Sequence, residues 1–254
     1  MTTAAPIEAI MKLFDSYSRV ARLYPSLVAL APIIWSAVAL FPSIIENTSR
    51  GAAFVTAAAA VLYFLTSIAR SLGKRAEIKL LRRWGGWPTT ILLRHQDSGI
   101  DRVTKERYHR ALERMSGLKL ATPEEEQRDL VQADDLYRSA TRKLIEQRRD
   151  PKYHLIHGEN ASYGFRRNLY GLKPVAIVET LIVIFATALG WWLITPQPYT
   201  LPVVIQTTIN YPHFLLLLLL DLSYFLLWIW AVTPNFVYQA GREYGEALLR
   251  TLDA

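Results

Sequence analysis

Between residues 51 and 69 the chain reads GAAFVTAAAAVLYFLTSIA, nineteen positions without a charge. A helix needs roughly 17 to 25 such residues to cross a hydrocarbon core, where no water is present to satisfy backbone N–H and C=O groups. Three more windows qualify. SLVALAPIIWSAVALFPSII, residues 26–45, is uncharged and carries Pro32 and Pro42, which predict a kink. Residues 175–194 contain one acid, Glu179, and residues 213–232 contain one, Asp221. A single acid costs about 2.5–3.5 kcal/mol at a helix centre, which the surrounding Leu, Ile, Val and Phe offset. Only ENTSR separates the first window from the second, so those two are expected to form a hairpin.

Four spans explain a composition that is 51% hydrophobic, with mean hydropathy +0.13, yet carries a formal charge of +7. Orientation follows from where the cations fall. Residues 70–173 hold 23 Lys and Arg against 14 Asp and Glu, whereas TPQPYTLPVVIQTTINYP, between the third and fourth spans, holds none. Both termini and the central insert are therefore expected in the cytoplasm. The expected fold is an all-α membrane protein with two transmembrane hairpins flanking a helical cytoplasmic domain. Its divisions are an amphipathic N-terminal helix (1–24), hairpin one (25–70), a basic helical domain (71–173), hairpin two (174–234) and a C-terminal cytoplasmic tail (235–254). In the first of these, Ile7, Ile10, Met11, Phe14, Tyr17 and Ala21 recur at helical spacing. That suits a helix lying on the inner leaflet or one packed on the cytoplasmic domain.

An insert of this length is a domain rather than a loop. The stretch TPEEEQRDLVQADDLYRSATRKLIEQRRDP predicts one helix, with Thr122 as N-cap, Pro123 in first position and Glu125 closing a capping box. Its apolar face is Leu130, Ala133, Leu136 or Tyr137, Ala140 and Leu144. An earlier helix is expected from Asp101 to a C-cap at Gly117. A third starts at Asp150 and Pro151 and runs into Pro174. Along it Ala161, Gly164, Asn168 and Gly171 form a stripe of small residues that allows close helix approach. RRWGGWP, residues 82–88, either anchors the second span in the headgroup belt or hinges it, with Gly85 and Gly86 absorbing the rotation. Gly85, Gly86, Gly164 and Gly171 are thus the candidate coupling residues.

Catalytic signatures are absent. The chain has no cysteine, no GxGxxG, no P-loop, no GxSxG and no HExxH, so it is not read as an enzyme, and neither a cofactor nor a metal is expected. His154, His157 and Glu159 in HLIHGE are the nearest approach to a metal site, but nothing else completes the pattern, and ordinary polar surface or intersubunit contact is the favoured reading. Asp221 falls near mid-bilayer with Ser223 and Tyr224 beside it. Such an acid either lines an ion pathway, where symmetry would make an acidic ring, or locks two helices through a hydrogen bond. Glu179 lies close enough to Pro174 for an interfacial role. The alanine run around Ala57 suits a helix packed inside the subunit or at a subunit junction. Pore or packing candidates are therefore Asp221, Tyr224, Ala57 and Glu179.

The basic surplus can fix topology, contact anionic lipid or bind a phosphate-rich ligand. For the last, SYGFRRNLYGLKP offers Arg166 and Arg167 interleaved with Tyr163, Phe165 and Tyr170, and Arg142, Lys143, Arg148 and Arg149 could add to the field.

Two apolar hairpins around a basic helical insert, with no catalytic motif, resemble by architecture the multi-span membrane effectors of bacterial nucleotide-signalling antiphage systems. The resemblance implies a homo-oligomer in the bacterial inner membrane that permeabilises it when a nucleotide or oligonucleotide, made by a partner enzyme, reaches the cytoplasmic part. A noncatalytic scaffold docking a protein partner is the alternative.

Overall fold

The computed structural model describes residues 15–42 and 47–253, and all regular structure among them is helical. Four helical stretches are long and apolar enough to cross a membrane: Ser16–Leu40, Thr48–Leu93, Pro151–Ile194 and Pro212–Trp230. The expected interfacial positions Ile7, Ile10, Met11 and Phe14, and residues 43–45 of the first window, lie outside the described residues. From Ser16 the chain is already helical, passing through a π-helical stretch, Arg19–Leu23, into α1, Tyr24–Leu40.

The chain divides into two units, here called the span unit and the polar unit. The span unit comprises the described residues of Arg22–Lys74 and Asn168–Thr233. It holds α1, the N-terminal part of α2 (Thr48–Trp84), the C-terminal part of α7 (His154–Ile194), α8 (Leu201–Asn210) and α9 (Pro212–Trp230). The third span does not begin afresh after Pro174. α7 runs through that proline as one helix of 41 residues, a break that apolar neighbours tolerate where a solvated helix would stop. The uncharged loop contains α8, which starts behind Thr200 with Pro202 in its first turn.

Where α2 meets α7, two glycines touch. A Cβ on Gly171 would stand 2.5 Å from the Gly73 backbone nitrogen, and one on Gly73 would stand 2.9 Å from the Asn168 Cα. Backbone lies against backbone at this crossing, as small residues permit.

The polar unit comprises residues 15–21, Arg75–Arg167 and 234–253. Its helices are the C-terminal part of α2, α3 (Pro88–Leu93), α4 (Arg102–Ser116), α5 (Pro123–Arg128), α6 (Leu130–Gln147), the N-terminal part of α7, entered by a 3-10 turn at Pro151–Tyr153, and α10 (Pro234–Arg250). The caps read from sequence are present. Asp101 accepts from the Thr104 N–H, Gly117 closes α4 at φ 74°, and Thr122 and Glu125 form a reciprocal capping box.

Two expectations are corrected. The helix foreseen from Thr122 onward is broken at Asp129, whose extended backbone ends α5 and whose carboxylate caps α6 by accepting from the Gln132 N–H. The break lets Glu126 turn inward, where it accepts the Tyr137 hydroxyl at 2.7 Å and the His95 N–H at 3.0 Å. Leu130, expected on the apolar face, is consequently exposed, while Ala133, Tyr137, Ala140 and Leu144 are buried. The C-terminal tail is the second correction. Residues Pro234–Arg250 form α10, which packs on α3 and places Leu248 and Leu249 in one core with Leu92, Leu93, Leu112, Tyr137 and Leu144. Its apolar positions Val237, Ala240, Tyr244, Leu248 and Leu249 follow a helical period, so burial drives the docking.

Candidate functional site

In the span unit the site grows from a missing hydrogen atom. Pro32 sits inside α1 and has no N–H to give to the carbonyl of Val28, four residues back. Tyr224 of α9 supplies the missing donor, its hydroxyl bonding to the Val28 oxygen. One residue past the proline, the Ile33 N–H donates to Glu179 Oε1 of α7 at 3.1 Å. Trp35 then donates its indole N–H to Asp221 Oδ1 at 2.7 Å and stands edge-on to the Tyr224 ring, with centroids 5.0 Å apart. Three side chains from two other helices thus grip α1 on both sides of its break. The buried Ser36 hydroxyl stands beside the Asp221 carboxylate, so the acid meets a second polar group of α1 as well as Trp35.

Asp221, Tyr224 and Glu179, named separately from the sequence, are therefore gathered at one point. Asp221 is wholly buried within its own chain, in the helix-locking arrangement. Glu179, expected at an interface, is half-buried against α1, because the proline break exposes a backbone donor for it. Ala57 is not part of the cluster. It is exposed on α2 together with Ala52, Ala53 and Ala60, so this small-residue face is not packed inside the chain. Trp35, Ser36 and Gly73 were not read from sequence as site residues, although Pro32 was the signal that something had to occupy the Val28 carbonyl.

In the polar unit the proposed ligand arginines have internal partners. Arg167 pairs with Glu77 at 3.2 Å, and the Tyr163 hydroxyl donates to the same carboxylate at 2.7 Å. Both charged side chains are about nine-tenths buried, with 11% and 10% exposed. Arg166 lies over the Phe236 ring, donates to the Phe236 carbonyl and reaches Glu243 at 3.5 Å. Arg148 stacks on Tyr153 and donates to Thr251, and Lys143 donates to the Ser116 carbonyl. Tyr170 belongs to the span unit. Arg142 and Arg149 stay exposed. Glu77 was legible only as the single acid in ARSLGKRAEIKLLRR, residues 69–83.

Of the coupling glycines, Gly85 and Gly86 adopt φ 77° and 151°, conformations that side chains avoid. Their turn is fastened rather than loose. Arg94 bonds the Gly85 carbonyl while forming a two-pronged pair with Asp134 at 2.9 and 2.6 Å. Gly164 makes room for Tyr17 and Ala21, to which a Cβ would come within 3.0 Å. His154 and His157 bond backbone carbonyls of Lys152 and Asp150.

Beneath these lies a polar network. His109 Nε2–H donates to the Leu93 carbonyl at 2.7 Å, His95 Nε2–H to the Ala121 carbonyl at 2.9 Å, and Lys105 to the Arg94 and Asp97 carbonyls. Burial holds both the His109 imidazole and the Lys105 amine below their ordinary pKa values.

Among the described residues these features define an all-helical protein with four helices long and apolar enough to cross a membrane. No protein-family model, no curated protein and no solved structure matches it.

Proposed function

We propose that the chain is a subunit of a homo-oligomeric ion channel or pore, opened by a signal that binds the polar unit. The observation that carries this reading is the pair of carboxylates, Asp221 and Glu179, held inside the span unit on a proline-broken helix. Ionisable groups in such a place are expensive and are retained for ion pathways and gates. Here they act as a latch. While Asp221 holds Trp35 and Glu179 holds Ile33, α1 is fixed in place around Pro32, and release of the latch lets α1 move and the pathway open. Asp221 therefore controls the gate, and an acidic ring of Asp221 side chains is not needed in the closed state. Subunits meet through the exposed alanine face of α2, which is too poor in bulk to gain much from lipid.

In a bacterial inner membrane, with both termini and the polar unit on the cytoplasmic side, a nucleotide or oligonucleotide from a partner enzyme is the fitting signal. Depolarisation then serves antiphage defence. Ion flux from liposomes carrying the purified protein tests this. Asp221→Ala, which frees Trp35, should raise the basal leak, and Asp221→Asn, which keeps an acceptor, should stay near wild type. A monomer by mass in detergent, or no flux from any variant, defeats the reading. The internal pairing of Arg166 and Arg167 favours a second reading, a noncatalytic scaffold whose remaining basic surface docks a protein. That version predicts a captured partner and no flux.

A further inference from the structure

One basic surface of the polar unit has the opposite character from the Arg166 and Arg167 region. A groove of about 440 Å³ is lined by Trp87, Thr89, Arg138, Thr141, Arg142 and Ile145. Arg138 and Arg142 stand one turn apart on α6, where Cβ atoms are about 5–6 Å from each other. Arg142 makes no ion pair or hydrogen bond among the described residues, and Arg138 touches only Asp135, at 3.5 Å in an exposed pair. Such a pair contributes little and is easily exchanged for a better anion. Trp87, 36% exposed, lines the same groove from the end of the Gly85–Gly86 turn, and Arg94 and Asp134 fix that turn. Thr141 gives its hydroxyl to the Tyr137 carbonyl, and Ile145 adds apolar surface to the groove lining.

We infer that this groove is a binding site for a phosphorylated compound with a planar ring, of the nucleotide or short oligonucleotide class. Two unspent guanidiniums at this spacing match neighbouring phosphates, which arginine grips in forked fashion. An indole face stacks on a base. An anionic lipid headgroup offers the phosphate without the ring and leaves Trp87 unused. The inference rests on the signal-opened reading above, and it moves the site from Arg166 and Arg167 to Arg138, Arg142 and Trp87.

Equilibrium dialysis on the full chain in phosphatidylcholine nanodiscs tests it, with diadenylate as probe and ribose 5-phosphate as the competitor without a base. Saturable binding of diadenylate is expected. Arg138→Ala, Arg142→Ala and Trp87→Ala should each weaken it by about tenfold, the scale of one stacked base or charged contact. Lys143→Ala, with its amine on the Ser116 carbonyl, should not. Ribose 5-phosphate should compete at least about tenfold less well for lack of stacking. Unchanged affinity in the double variant R138A/R142A overturns the proposal. So does the absence of saturable binding up to about 1 mM, or binding that appears only when phosphatidylglycerol is in the disc. Diadenylate held by these residues without any flux keeps the groove and removes the channel, whereas flux opened by diadenylate with R138A/R142A at wild-type affinity does the reverse.

Discussion

A buried charge matters most where its partner cannot reach water, and Glu77 is such a charge. Its carboxylate serves Arg167 and Tyr163 together in a nearly closed setting, whereas Glu243 meets Arg166 from an exposed position. Glu77→Ala should cost about 3–5 kcal/mol, since it removes one partner of a buried ion pair that also accepts the Tyr163 hydroxyl, and Glu243→Ala should cost under about 1 kcal/mol. Denaturant unfolding in detergent, followed by near-UV circular dichroism, compares the two. His109 sets a pH dependence. Burial is the main cause of its lowered pKa, with His95 and Lys105 adding repulsion and Glu113 opposing them. The unfolded imidazole therefore takes a proton more readily than the folded one. Its contribution is fully present above the ordinary histidine pKa of about 6.5 and is lost as pH falls toward the folded value. Melting temperature should drop between pH 7.5 and 5.5 in the wild type, and drop less in His109→Gln, whose amide can still donate to Leu93. Equal drops would remove His109 from the account.

Among helices, the crossing of α2 and α7 is the least forgiving contact. Gly171→Ala puts a methyl within 2.5–2.7 Å of the Gly73 backbone, which no rotamer change can relieve. Overpacking of this sort costs about 1–3 kcal/mol. Gly158→Ala, with open space around it, should be neutral or slightly stabilising. Melting curves of the two variants make the comparison, and a silent Gly171→Ala would mean that the helices do not cross as described. The stripe on α7 was visible in sequence because its spacing needs no partner to be recognised. Its counterpart Gly73 was not, since one glycine among Leu, Lys and Arg has no periodicity. Caps at Asp101, Gly117 and Thr122 were legible because they are local. The break at Asp129 was not, because it is decided by Glu126 reaching Tyr137 and His95, thirty-one residues away in the case of His95. α10 did carry a helical period, but its short distance from the last span made it look like a tail.

For the whole molecule, the natural absence of cysteine gives a clean background. If copies meet through the alanine face, Ala57→Cys should crosslink to dimers under mild oxidation in membranes, while a cysteine at Tyr63, exposed farther along α2, should do so more weakly. Crosslinking confined to Tyr63→Cys would place the junction elsewhere. The packing of α2 was only partly legible in sequence. Small residues announce close packing, but the sequence alone left two choices, burial within the subunit or contact with another copy. The exposure of Ala57 and its neighbours removes the first.

The bond between Tyr224 and Val28 also has a genetic meaning. It exists because Pro32 cannot make it, so the two positions are dependent on each other. Tyr224→Phe should impair function by leaving the Val28 carbonyl unsatisfied. A search for second-site revertants of that allele should return replacements at Pro32, since any other residue there restores a donor to Val28 from within α1. Pro32→Ala in the parent should make Tyr224→Phe nearly silent, so the hydroxyl and the proline would be inherited as a pair.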